Sequence, residues 1–203
     1  LFFQFCFCKL LEILFENNPP STIIPQVLAN NANELLFLSK ILEEHGYTEI
    51  NLNLGCPYPM VTRREMGAGL LSNPEKLKGI LSLFFEKSKL NLSIKLRAGL
   101  QSANEIEQII PVLNEFPISE VIFHPRIAKQ LYTGEILYPS FEFASKNLKH
   151  PLVYNGDIIS VTDFNNCHQR FPTTNHWMLG RGVLKNPFLP SEIKGTHLTS
   201  EER

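Results

Sequence analysis

From residue 22 onward the chain alternates short runs of apolar, often β-branched residues with longer stretches whose apolar positions recur every three or four residues. The first kind of run has the pattern of a buried strand and the second that of an amphipathic helix. TIIPQVLA (22–29) reads as a strand, and NNANELLFLSKILEEHG (30–46) as a helix with Leu35, Leu38, Ile41 and Leu42 on one face and Gly46 as its stop. EINLNLG (49–55) is the next strand. NPEKLKGILSLFFEKSK (73–89) reads as a helix with Asn73 as its cap and Pro74 at its first position. LSIKLRAG (92–99), EVIFHPR (120–126), PLVYNGD (151–157) and HWMLGRG (176–182) continue as strands. NEIEQIIPVLNEF (104–116) and VTDFNNCHQRF (161–171) are the helices between them, and LYPSFEFASKNL (137–148) reads as a connection. Six strand–helix units in a row predict βαβ construction around a parallel sheet, with no repeat or low-complexity linker dividing them.

Both an open doubly wound sheet and a (β/α)8 TIM-type barrel accommodate that count. The polar residues favour the barrel. Nearly every strand ends in a group able to do chemistry: Gln26, then Asn53 and Cys56, Lys95 and Arg97, His124 and Arg126, Asn155 and Asp157, and Arg181. In a barrel all these ends converge on one face, where active sites are built. At 203 residues the chain falls short of the roughly 250 of a typical barrel, so an incomplete barrel of about six βα units is expected.

Composition narrows the function classes. A formal net charge of -1 leaves no basic footprint for nucleic acid. The four cysteines (Cys6, Cys8, Cys56 and Cys167) include no CxxC, so neither a disulfide scaffold nor a metal site is expected, and a reducing cytoplasm is the simpler setting. The apolar opening LFFQFCFCKLLEILF lacks the basic leader of a signal peptide and the length of a membrane span. Residues 1–17 are therefore set apart as a segment of uncertain origin, 18–190 as the barrel portion, and 191–203 as the start of a linker.

Lys95 is the sharpest single residue. An ammonium between Ile94 and Leu96 is costly unless an anion meets it, although an edge strand would let it point to water. His124 alone is weak, since a lone histidine is more often a satisfied loop or core residue; its place on the shared rim raises it. NGD (155–157) and GRG (180–182) are each ordinary turn sequences, but at the ends of the last two strands they form a pair suited to a phosphate-bearing cofactor, with Arg181 as a clamp. Cysteines are usually small buried hydrophobes. Cys56 instead sits between Gly55 and Pro57 on a loop, followed by MGAGLL (66–71), a small-residue stretch that reads as a mobile lid.

In order along the chain, NLNLGCPYPMVTRREMGAGLL, IKLRAG, HPR, NGDI and GRGVLKNP closely resemble the motifs of the tRNA-dihydrouridine synthases, over roughly residues 18 to 190. The resemblance implies an FMN-binding barrel, reduced by NADPH, that reduces the C5–C6 double bond of a uridine in tRNA. It implies that Cys56 protonates C5 while reduced FMN gives hydride to C6. It implies that Gln26 and Lys95 meet the flavin edge, that Asn53 and His124 line the floor where flavin and uracil meet, and that Asn155, Gly156, Asp157, Gly180 and Arg181 hold the ribityl phosphate. Asn53 and Arg126 are the candidate substrate-binding residues, and no metal is expected. The family's first barrel strand and its C-terminal helical domain have no counterpart in these motifs, so the chain is expected to be a fragment, monomeric when full length and bound to no membrane. Two rivals remain at this point. One is a dihydroorotate-dehydrogenase-like flavoenzyme on the same architecture, and the other an inactive truncated remnant.

Overall fold

The computed structural model describes residues 23–196. Its strands are β1 (Gln26–Val27), β2 (Glu49–Leu54), β3 (Asn91–Gly99), β4 (Val121–Ile127), β5 (Leu152–Tyr154) and β6 (His176–Trp177). Between and after them lie α1 (Ala32–Glu44), α2 (Pro59–Thr62), α3 (Pro74–Lys87), α4 (Ile106–Leu113), α5 (Tyr138–Asn147), α6 (Val161–Arg170), α7 (Arg181–Lys185) and α8 (Leu189–Ile193). Every strand pairs parallel with the next one in sequence, in the order β1-β2-β3-β4-β5-β6. A doubly wound sheet reverses its order at a switch point; this one never does, which is the winding of a barrel. Among the described residues it forms a six-strand arc, with β1 and β6 as its outer members.

Alternation along the strands sorts the side chains into two layers. Leu54, Leu96, Phe123, Tyr154 and Trp177 lie side by side in register, and all but Trp177 are essentially buried under the helices. The intervening positions carry Asn51, Asn53, Ser93, Lys95, Arg97 and His124 together with Ile122 and Val153, so the opposite face is mainly polar. Asn73 caps its helix as its sequence foretells, and Asn31 and Ser160 cap α1 and α6. Asn31 accepts from the Glu34 N–H at 2.9 Å, Asn73 from Lys76 at 3.1 Å, and Ser160 from Asp163 at 3.1 Å.

Four local readings change. TIIPQVLA contributes only the two-residue β1, and HWMLGRG only His176–Trp177, because the chain turns into α7 at Arg181. The stretch 137–148, read as a connection, is α5; its Phe141 and Ala144 are buried, with the Phe141 ring 5.0 Å from Tyr154 and 6.0 Å from Phe123. The MGAGLL stretch is no lid. Gly67–Ser72 is a 3-10 helix whose residues 67–71 are all buried. A Cβ on Gly67 would stand 2.8 Å from the Cys56 carbonyl oxygen, and one on Gly69 2.6 Å from that of Thr62. The glycines serve close packing beneath the Cys56 loop.

One irregularity sets the rim. Between Arg97↔His124 and Gly99↔Ile127 the pairing of β3 with β4 slips by one residue, at Pro125 and Arg126. Proline has no N–H for the ladder, and the resulting bulge re-aims the neighbouring side chains. The segment 1–17, set apart in the sequence, lies outside the described residues. The helix α8 runs across position 190, with Leu189 buried and Ile193 packed on the core.

Candidate functional site

The strand ends surround a cavity of about 310 Å³. That is within the range of small-molecule sites, about 300–1,000 Å³. Of the residues singled out in the sequence, Gln26, Asn53, Cys56, Lys95, His124, Asn155, Gly156, Asp157, Gly180 and Arg181 all line it. Arg126 does not. It is 3% exposed and lies behind the wall, gripping Asp157 through both terminal nitrogens, with the Nη1 contact at 3.0 Å, and the carbonyl of Gly134 through Nε and Nη2. Expected to touch substrate, Arg126 instead reaches the cavity through Asp157.

The cysteine loop is held by a side chain of its own strand. Asn53 Oδ1 accepts from the N–H of Gly55 at 2.9 Å and of Cys56 at 2.8 Å. Gly67 and Ala68 pack on the next peptide, the Ala68 N–H donating to the Cys56 carbonyl at 3.1 Å. Cys56 is partly exposed to the cavity as a free thiol, whereas Cys167 is buried with its thiol 3.8 Å from the Tyr154 hydroxyl, as a structural cysteine should be.

Lys95 enters the cavity from the middle of β3. Burial, and then the neighbouring Arg97, bring its pKa from 10.5 down to about 8, with no carboxylate offsetting them. His124 is pushed further, to about 3, by burial and then by Arg97, Lys95 and Arg126. It is a neutral imidazole at physiological pH. Arg126 Nη1 stands 3.4 Å from its Nε2, and a guanidinium only donates, so Nε2 is the acceptor and the ring hydrogen sits on Nδ1. Asp157 receives Arg126 on one side and Arg181 Nη2 at 2.6 Å on the other. The Arg126 hydrogen bond, foremost, holds its carboxyl below the usual range. Its backbone adopts φ 37°, a left-handed conformation unusual outside glycine.

Two further residues line the cavity: Arg97, which the sequence placed among the strand-end groups without a role, and Tyr132, which it did not single out. Arg97, only 2% exposed, donates to the Ile127 carbonyl at 3.0 Å and runs its stem past Gly55. Tyr132, on the loop after β4, places its ring 5.2 Å from the Arg97 guanidinium and 5.1 Å from that of Arg181. Arg97 was legible, because it shares the face of Lys95 two residues on. Tyr132 had no signal, since its loop is aimed by the left-handed backbone of Leu131 (φ 51°) and Gly134 (φ 75°).

Taken together, Lys95, Arg97 and Arg181 face a cavity whose lining includes one acid, Asp157, already held by two guanidinium groups. Gly180 leaves open space where a side chain would stand. This donor set suits an anionic, phosphate-bearing ligand. Among the described residues no cluster of three or more metal-ligating side chains occurs, and no helix is long and apolar enough to cross a membrane.

A family model described as dihydrouridine synthase matches residues 9–203. The chain belongs to the dihydrouridine synthase family. It is 28% identical to tRNA-dihydrouridine synthase B of Pasteurella multocida over 171 residues, covering 81% of this chain and 49% of that protein. The enzyme of the same name from Escherichia coli is 26% identical over 176 residues, 83% of this chain and 53% of the relative. A tRNA-dihydrouridine(47) synthase [NAD(P)(+)]-like protein of Xenopus tropicalis is 33% identical over 150 residues, 71% of this chain and 23% of its own length. The chain thus spans about half the length of these bacterial dihydrouridine synthases. Membership in this family displaces the dihydroorotate-dehydrogenase-like alternative.

Proposed function

We propose that the chain is the catalytic barrel of a tRNA-dihydrouridine synthase, reducing the C5–C6 double bond of a tRNA uridine with FMN as cofactor and NADPH as electron donor. The observation that carries this reading is a free thiol and an unpaired, partly buried ammonium facing one cationic cavity, in a chain of this family. Bound reduced FMN would supply the hydride to C6 of the uracil. Lys95, Gln26 and His124 would hold its ring edge, the ammonium of Lys95 opposing negative charge there and His124 acting as a neutral hydrogen-bonding group. Asn155, Gly156, Asp157, Gly180 and Arg181 would hold the phosphate-bearing tail, with Arg126 fixing Asp157 from behind.

Cys56 would give its proton to C5. Thiols are mostly protonated at neutral pH and can donate. The thiolate left behind would be met by Arg97, which lies close enough for the two charges to interact. Asn53, lining the cavity beside Cys56, would present its remaining N–H to the uracil. A base reaching this depth must leave its stack, so the target uridine would be flipped or single-stranded. The setting we infer is the cytoplasm, for a protein that is monomeric at full length and takes tRNA as its partner.

The test is a Cys56→Ala variant loaded with FMN. It should keep its flavin spectrum and its reduction by NADPH while dihydrouridine formation in tRNA falls by about 10²–10⁴-fold, the usual worth of a general acid. Turnover at the parent rate would remove Cys56 from the reaction. A colourless protein that FMN cannot reconstitute would support the inactive remnant instead.

A further inference from the structure

Four amide and hydroxyl side chains on β1, β2 and β3 are joined end to end below Cys56. Asn51 Nδ2 donates to Ser93 Oγ at 2.9 Å, and Gln26 Nε2 to Asn51 Oδ1 at 2.7 Å. Asn53 Nδ2 donates to Gln26 Oε1 at 2.7 Å, and Asn53 Oδ1 accepts from the N–H groups of Gly55 and Cys56. The parallel register sets Gln26 beside Asn51 and Asn51 beside Ser93. Asn51 is 4% exposed and Ser93 fully buried, so their polar atoms must find partners inside the sheet.

The direction of every amide follows from one end. Backbone N–H groups only donate, so Asn53 must show them its oxygen. Its nitrogen then faces Gln26, which must offer oxygen in return, leaving the Gln26 nitrogen to Asn51 and the Asn51 nitrogen to Ser93. The Ser93 hydroxyl ends the series because it can rotate to accept or donate. Turning any one amide alone sets like against like: at both ends for Asn53 and Gln26, and at the Gln26 contact for Asn51.

We infer that Gln26, Asn51 and Ser93 are positioning residues for the Cys56 loop: the relay braces the Asn53 amide in the orientation its backbone donors demand, and Asn53 holds the backbone that carries the thiol. The inference rests on the proposed function only for what the thiol does; the relay itself stands on its hydrogen bonds.

The test is amide hydrogen exchange on the full chain. In Asn51→Leu, which removes both middle contacts, the Gly55 and Cys56 amides should exchange about tenfold faster, as expected when a local hydrogen bond loses its support, while Leu52 and Leu54 within β2 keep their protection. Asn51→Asp can accept from both Gln26 Nε2 and the Ser93 hydroxyl, and should restore the protection. Unchanged exchange at Gly55 and Cys56 in Asn51→Leu overturns the inference, as does equal loss in Asn51→Asp. If Asn51→Leu also exposes the β2 amides, the pair Asn53→Asp and Asn53→Leu decides. The aspartate keeps the acceptor and lets the upstream amides reverse, so only the leucine should lose protection, and equal exchange in the two overturns the relay. Turnover of Cys56→Ala is read separately. A fully active Cys56→Ala removes the proposed role of the thiol and leaves the exchange result standing.

Discussion

Replacing Lys95 with methionine keeps an unbranched apolar stem and removes the ammonium. In the structure that ammonium is largely buried and next to Arg97, and its pKa falls from 10.5 to about 8. At about 1.4 kcal/mol per unit, holding the charged form costs the ligand-free fold about 3 kcal/mol. The sign follows from proton counting. The folded pKa lies below the unfolded one, so between pH 8 and 10.5 the unfolded chain binds a proton that the folded chain does not, and stability rises with pH there. The penalty is complete below pH 8 and fades toward 10.5. Lys95→Met should therefore unfold at higher denaturant at pH 6.5, by about 1–3 kcal/mol after relaxation of the site. The advantage should shrink steadily as pH is raised from 8 to 10. Denaturant titrations followed by the fluorescence of the single tryptophan, Trp177, measure this. On the proposed reading of the site, the same variant should bind FMN more weakly, read by quenching of flavin fluorescence. A variant no more stable than the parent at pH 6.5, or a stability gap that does not change with pH, refutes the reasoning.

Gly67→Ala puts a Cβ 2.8 Å from the Cys56 carbonyl oxygen at φ 54°; left-handed strain plus overpacking should cost about 2–4 kcal/mol, and an unchanged denaturation midpoint would contradict that packing. Asp157→Asn should lower stability by about 1–3 kcal/mol through its weakened hold on Arg126 and Arg181. Because the carboxyl is depressed in the fold, its contribution is present above the unfolded carboxylate range and is lost as pH falls through the lower folded value, so the acid limb of the parent's stability curve should flatten in this variant. His124, with a folded pKa of about 3, should show no imidazole titration by NMR between pH 8 and 5. Its neutral form should also make the fold lose stability as pH drops below 6.5, where the unfolded chain gains a proton first. A midpoint near 6.5 in the folded protein would show that the ring is not desolvated as described.

The strand order and the polar rim were legible because period-two alternation in a parallel sheet leaves little freedom: once Leu52 and Leu54 face the helices, Asn51 and Asn53 must face the other way. The cap of α3 was legible for a similar reason, since Asn73 followed by Pro74 announces where a chain can start to wind. What escaped depended on approach between distant segments. Small residues at 66–71 have the same composition in a lid and in a tight buttress, and only the nearness of Cys56 and Thr62 separates the two. Asn53 lines the cavity, but its oxygen is taken by two backbone donors that no sequence pattern marks. Arg126 likewise looks like a rim residue in HPR until the β4 bulge and Asp157 are seen together.

The gathering of Lys95, Arg97 and Arg181 around one mouth has a kinetic side. A chain whose formal charge is -1 overall gathers three cationic side chains at one concave spot, with one acid in the lining already matched by two guanidinium groups. Fields focus in such clefts and draw anions from solution faster than random collision delivers them. Arrival of a phosphate-bearing ligand should therefore slow steeply as salt is added, since screening acts over about 10 Å at 0.1 M. Departure, governed by short contacts inside the cavity, should change little. The rim thus sets how often the site is visited as well as how firmly it holds.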